Sequence, residues 1–186
     1  MTMGLVLFAF TPALAGVDSV ELGNTSVDST GGGTVTVTGN SMSGDLQGYV
    51  LCVSHDPAII TLDSIDVLGT DAEVAGAEFV VPTTYADGGT LGVVLDFNAP
   101  YDGQSISAGM GLTLANYNYS CNNAVFYTEG DVAPAPETSA LTFVDDVYGS
   151  PALSNVFVIA GLSLNPALTD GTFSCNAVAI PSEDTE

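Results

Sequence analysis

One histidine, three cysteines and 22 acidic residues are the side chains from which this sequence could build chemistry. His55 stands in the step Ser54-His55-Asp56-Pro57. Catalysis through it would need a nucleophile within reach and an acid to orient the ring. Asp56 is adjacent, but adjacent side chains point apart on an extended chain, and no GxSxG or comparable motif occurs. His55 therefore reads as a loop residue supporting the Asp-Pro turn. One histidine and three scattered cysteines also lack the ligand spacing of a zinc centre.

The cysteines are Cys52, Cys121 and Cys175, a number that suggests one disulfide plus one thiol in a secreted chain. Cys121 and Cys175 sit in echoing contexts, Tyr119-Ser120-Cys121-Asn122 and Phe173-Ser174-Cys175-Asn176. The echo pairs these two. Cys52, inside an apolar run, is then a buried free thiol, with an intersubunit bridge as the alternative.

Carboxylates and amides in loops are the oxygen donors that Ca²⁺ takes. Asp96, Asn98 and Asp102, just before Gly103, form one candidate set, and Asp145-Asp146 a second. Neither follows EF-hand spacing, and Pro100 interrupts the first, so solvated loop acids are the competing reading. An enzyme would need two acids flanking a glycosidic bond, and nothing singles out a pair. Asn24-Thr25-Ser26 and Asn118-Tyr119-Ser120 fit the N-glycosylation pattern, which makes Asn24 and Asn118 candidate acceptors.

Lysine and arginine are absent, so the 186-residue chain carries a formal charge of −22. Nucleic acid is excluded as a partner, because neutralising phosphates needs cationic side chains. Anionic lipid head groups are disfavoured for the same reason. Every carboxylate must be solvated, hydrogen-bonded, or matched by a metal ion or a partner. Salt or divalent cations rank first as counterions, and resistance to trypsin-like cleavage follows as a consequence.

The elements that position these groups read as strands. Residues 4–15, GLVLFAFTPALA, end in small residues like a secretion signal but lack its basic leader. A buried N-terminal strand is the alternative, and about 12 apolar residues fall short of the roughly 20 that span a membrane. Residues 1–15 are thus set apart from one domain at 16–186. Strands are expected at 17–22, 34–38 (TVTVT), 46–53, 59–68, 90–97, 110–119, 141–144, 156–159 and 172–180. A short edge strand at 77–81 should stop at Pro82. Residues 24–33 and 129–138 read as loops, and no window has helical periodicity. About nine or ten short strands give an all-β, two-sheet, jelly-roll-like sandwich, with 46% hydrophobic residues supplying its core.

The succession GYVLCVSHDPAIITLDSIDVLG, then GGTLGVVLDF, then Leu141-Thr142-Phe143 and a final DGTF strand resembles the cohesin-type sandwich. It is most similar to the cohesin-like repeats of secreted bacterial and archaeal surface proteins. The family's xxDPxxL step falls here on His55-Asp56-Pro57-Ala58-Ile59. The resemblance spans residues 17–180 and implies a nine-stranded jelly-roll-like sandwich with a binding or scaffolding role.

Two functions follow as expectations. The first is an extracellular structural protein, a homo-oligomeric or polymeric subunit of a filament, sheath or surface layer. It would assemble by strand exchange through residues 16–23, with or without 4–15, and be stabilised by Ca²⁺. The second is a cohesin-like or carbohydrate-binding module that recognises a protein or glycan. Tyr101, Tyr117, Tyr119 and Tyr127 would then supply the aromatic platform that a chain without tryptophan otherwise lacks.

Overall fold

The alternation at residues 34–38 turns Val35 and Val37 to one side, where both are fully buried, and Thr36 and Thr38 to the other. That two-residue period sets the two layers. The computed structural model describes residues 16–182; segment 1–15, with its reading as a secretion signal, lies outside them. In chain order the strands begin β1 (Ser19–Leu22), β2 (Asn24–Asp28), β3 (Gly32–Ser41), β4 (Leu46–Ser54) and β5 (Ile60–Asp66). They continue with β6 (Phe79–Tyr85), β7 (Gly88–Val94), β8 (Gly109–Cys121), β9 (Phe126–Thr128) and β10 (Glu137–Phe143). Last come β11 (Val156–Ile159), β12 (Leu162–Leu164), β13 (Ala167–Thr169), β14 (Gly171–Asn176) and β15 (Val178–Ile180).

Sheet one runs β13-β1-β3-β8-β5. Sheet two is centred on β4, whose one edge takes β7 and then β6. Its other edge is shared: β11 pairs Leu46 to Val50, and β10 takes Val53 and Ser54. Beyond β10 lie β14 and β2, while β9 and β15 form a separate parallel ribbon. Tyr49, Leu51 and Val53 of β4 interlock with Leu91 and Val93 of β7, Tyr117 of β8, Phe157 of β11 and Phe173 of β14. The Tyr49 hydroxyl donates to the Leu114 carbonyl at 2.5 Å, which satisfies the one polar atom that this ring brings into the core.

Several expected boundaries move. Asn24–Asp28 is a strand rather than a loop, paired in parallel with β14. Its Ser/Thr side chains sit on a sheet edge, where polarity carries no cost. The chain crosses from sheet one to sheet two at Gly23, whose N–H donates to Thr36 O. β6 continues through Pro82, because its outer edge pairs with nothing among the described residues and needs no N–H there. The expected final strand splits into β14 and β15. A single helical turn, α1 (Asp71–Val74), is capped by Thr70 and is too short to show periodicity.

β1 also settles where the N-terminal end of the domain goes. It pairs with β3 on one edge and β13 on the other, and buries Val20 and Leu22 in its own core. Residues 19–22 therefore complete this chain's own sheet.

Cys121, at the end of β8 in sheet one, is bonded to Cys175 of β14 in sheet two, 54 residues away. The pairing read from the echo holds, and it staples the two layers together. Closing a loop of this length in the unfolded chain stabilises the fold by about 4 kcal/mol. We expect Cys121→Ser/Cys175→Ser to lose about that much in urea unfolding, with far-ultraviolet dichroism unchanged in native buffer.

His55 follows β4, is 7% exposed, and meets the Tyr119 ring edge-on at 5.4 Å. Burial holds its pKa below the ordinary 6.5, against the opposing pull of Asp87. As pH falls below about 6.5, the unfolded chain binds this proton before the folded chain does, so stability falls. Wild type should lose urea resistance between roughly pH 7 and 5.5. His55→Phe, which keeps a ring against Tyr119, should lose distinctly less; equal losses would remove His55 as the cause.

Candidate functional site

The core takes alternate residues of β4, β7 and β11, so the remaining ones face outward. Strand register arranges these into rows across β11, β4, β7 and β6. The first row is Val158, Gly48, Val94 and Phe79, and the second is Val156, Val50, Gly92 and Val81. Cys52, Thr90 and Thr83 follow, and then Ser54, Gly88 and Tyr85. Phe79, Val81 and Val94 are exposed, and Val50, Val156 and Val158 half-buried. Gly92 leaves a dimple in this tiling, where a Cβ would meet nothing within 4 Å, whereas a Cβ at Gly48 would fall 2.6 Å from the Val93 carbonyl oxygen. An antiparallel sheet with one solvated face normally alternates polar with apolar. Here the first two rows of the outer face are apolar as well.

Aromatic pairs close the two ends. Phe97 stacks on Phe79 with ring centroids 4.7 Å apart, and Tyr148 on Tyr85 at 4.6 Å. Tyr148 lies against Gly88, where any Cβ would fall 2.2 Å from its hydroxyl. That hydroxyl donates to the Asp87 carbonyl at 2.9 Å, and burial together with Asp87 pushes its pKa up to about 12. A groove of about 280 Å³ runs between the ends, lined by Val50, Val81, Thr90, Gly92 and, from the loop at 144–155, Gly149 and Leu153.

That loop leaves the edge of β4 where β10 stops and returns where β11 starts, and Asn155 plugs the gap. Its Oδ1 accepts the Cys52 N–H at 2.7 Å, and its Nδ2 donates to Val144 O and to Asp145 Oδ1. Asp145 Oδ1 also accepts the Asn155 N–H at 2.7 Å. Asp146, at φ 60°, accepts from the Ser154 hydroxyl. The pair expected to bind a cation is thus engaged in shaping the groove wall. Cys52 lies beneath the plug, unpaired and fully buried; burial, then Asp145 and Asp146, pushes its pKa up to about 12.

The rim of the face is acidic. At the Phe79 end, Asp45 and Asp96 line a cavity of about 400 Å³ together with Gln47, Gly48, Val94, Gln104 and Val158. Asp96 Oδ2 accepts the Gly103 N–H at 2.9 Å. Asn98 contributes its backbone N–H, which with that of Phe97 is accepted by Glu78 Oε2. These bonds, that from Asn98 first, hold the Glu78 carboxyl below its ordinary value. Asp102 lies exposed on the same loop. Of the expected set Asp96, Asn98 and Asp102, only Asn98 is bonded to Glu78, a hub that the sequence reading missed. Among the described residues, no three His, Cys, Asp or Glu side chains cluster to hold a metal ion.

The other expectations fall elsewhere. Asn118 Nδ2, the atom a glycan would take, donates to Ser64 Oγ and Asp66 Oδ2 within sheet one. Asn24 stands exposed on β2, with its Oδ1 accepting from the Thr172 hydroxyl. Tyr117 and Tyr119 are core residues, so the proposed aromatic platform does not form; only Tyr101 of the four is exposed.

No family model and no curated protein matches the sequence. Solved structures do match the fold. A type I cohesin from the Coh-OlpC–Doc435 complex of Clostridium thermocellum superposes with a TM-score of 0.62 at 13% identity, covering 92% of this chain and 100% of that one. The third ScaC cohesin of Acetivibrio cellulolyticus, in complex with the ScaB dockerin, gives 0.57 at 19% identity over 86% and 99%. A non-cellulosomal cohesin from the archaeon Archaeoglobus fulgidus gives 0.56 at 13% over 91% and 94%. The chain has the cohesin-type β-sandwich fold.

The Asn155 plug carries a measurable weight. Asn155→Ala strands the buried Cys52 N–H and should cost about 2–3 kcal/mol in urea unfolding. It should also expose Cys52 to a thiol reagent that wild type resists.

Proposed function

We propose that this chain is an extracellular, non-enzymatic protein-recognition module that takes a protein partner on the outer face of β11, β4, β7 and β6. The observation that carries the reading is the apolar outer surface formed by Val158, Val94, Phe79, Val156, Val50 and Val81 on β11, β4, β7 and β6. An exposed apolar surface framed by polar groups is the ordinary mark of a protein interface. The cohesins to which the fold is similar are described in complex with dockerins, which supports a protein as the occupant. The disulfide suits an oxidising compartment. A filament built by strand exchange ranks behind this reading, because β1 is paired on both edges within its own chain.

The test is a comparative capture from the extracellular proteins of the source organism. Wild type and Val81→Glu/Val94→Glu, matched in Tm, are immobilised side by side. Proteins held by wild type should fall at least tenfold on the variant. Capture of the same set by both would move recognition off this face.

A further inference from the structure

The cavity at the Phe79 end of the face has an unbalanced inventory. Asp96 Oδ1 and Gln104 Oε1 are both shielded from water and have no hydrogen-bond donor among the described residues. Both are acceptors on the wall of one cavity, beside the Asp45 carboxylate. Of the other polar atoms there, Asp45 Oδ1 accepts the Ala108 N–H, Gln47 Oε1 the Gly161 N–H, and Asp96 Oδ2 the Gly103 N–H, while the Ser105 hydroxyl on the same wall is a neutral donor. A buried acceptor left without a donor is costly, and more so for a carboxylate. No lysine or arginine exists in this protein to supply a cationic donor, and its one histidine, His55, is buried against Tyr119. The cavity also has an apolar side, formed by Gly48, Val94 and Val158, that opens onto the recognition face.

An apolar wall leading to acceptors that lack donors fits one kind of side chain. Lysine and arginine lay an aliphatic stem along apolar surface and carry only donors at the tip. We infer that this cavity is the receptor for a lysine or arginine side chain of the protein partner, seated beside the apolar contact and neutralised by Asp45 and Asp96. The inference rests on the recognition reading and adds to it the chemistry of the partner. A small turn of the Asp96 or Gln104 side chain brings its oxygen to the incoming tip. Glu78, bonded to the Phe97 and Asn98 N–H groups of the same loop, and the net charge of −22 add attraction at longer range.

The experiment uses the ¹⁵N-labelled full chain and two 14-residue amphipathic peptides, LKKLLKLLKKLLKL and its counterpart with glutamate at every lysine. Amide shifts are followed in wild type, Asp96→Asn and Val94→Glu, at low salt and in 0.5 M NaCl. The lysine peptide should shift Gly48, Val94, Gly103 and Gln104, at least tenfold more tightly than the glutamate peptide. Its affinity should fall at least tenfold in Asp96→Asn and in high salt. Asp96→Asn is informative without any peptide. Its amide keeps the bond from Gly103 through oxygen and removes the unpartnered carboxylate charge, so Tm should rise.

Equal binding of the lysine peptide by wild type and Asp96→Asn, with loss in Val94→Glu, would keep the face and overturn the cavity assignment. Shifts confined to residues outside β11, β4, β7, β6 and the cavity would overturn both. If 1 mM CaCl₂ alone shifts the same four amides and blocks the peptide, the cavity is a metal site and the inference falls.

Discussion

Every negative charge in this protein must be met without an internal cation. The neutral donors of the backbone and of Ser, Thr and Asn do that work, and much of the loop structure follows from it. Asp18 accepts the Met42 and Ser43 N–H groups and the Ser43 hydroxyl, which ties the residue before β1 to the turn after β3. Burial raises its pKa, but these bonds outweigh it and leave the carboxyl below its ordinary value. Asp71 binds Thr113 N and Oγ1, fixing α1 to β8. Asp170 accepts the Phe143 N–H where β10 ends. Each acid closes a local loop, a task that ion pairs perform in ordinary sequences. Bonds of this charge-assisted kind are stronger than neutral ones. They still leave the summed repulsion in place, and that repulsion sets the terms for any partner.

The two outer faces answer the same constraint in opposite ways. On sheet one, Thr34 and Thr36 meet Asn118 and Asn116, whose amides in turn meet Ser64 and Asp66. That ladder hydrogen-bonds to itself and to water, as a solvated sheet face should. The β11, β4, β7 and β6 part of sheet two instead presents valine, phenylalanine and glycine, and keeps its acids on the rim, while β10, β14 and β2 carry a Ser/Thr/Asn ladder. A protein charged to this degree has little need of further polarity for solubility. It can therefore leave an apolar surface open without precipitating.

How much of this was legible follows from the range of each interaction. The layers were readable because the Thr-Val alternation of β3 and the apolar runs of β4 and β7 are local patterns. The same runs carried a message that alternation alone does not capture: a strand apolar at consecutive positions has two faces to cover. Residues 46–53 and 90–95 showed this in the bare sequence, and read that way they locate the face. The parallel pairing of β2 was invisible, since its partner β14 lies 148 residues along the chain (Asn24 to Thr172) and the segment itself has one apolar residue, Val27. Glu78 was missed as a hub for a similar reason, its partners being backbone N–H groups whose direction no side-chain motif encodes. The cysteine echo succeeded because the last turns of β8 and β14 meet the same environment from opposite sheets.

The pairing of the chain's two ends has a mechanical side. β1 lies parallel to β13, and β2 lies parallel to β14. Parallel neighbours start at the same end of the sheet, so a pull on the amino end of one and the carboxyl end of the other draws them in opposite directions along their length. Tension applied through the ends of the domain then loads these ladders in shear, with all their bonds resisting together, whereas an antiparallel hairpin would unzip one bond at a time. If those ladders slid, the Cys121–Cys175 link would still keep residues 122–174 from paying out as free length. A module tethered on one side and gripped by a partner on the other would be held by its strongest direction.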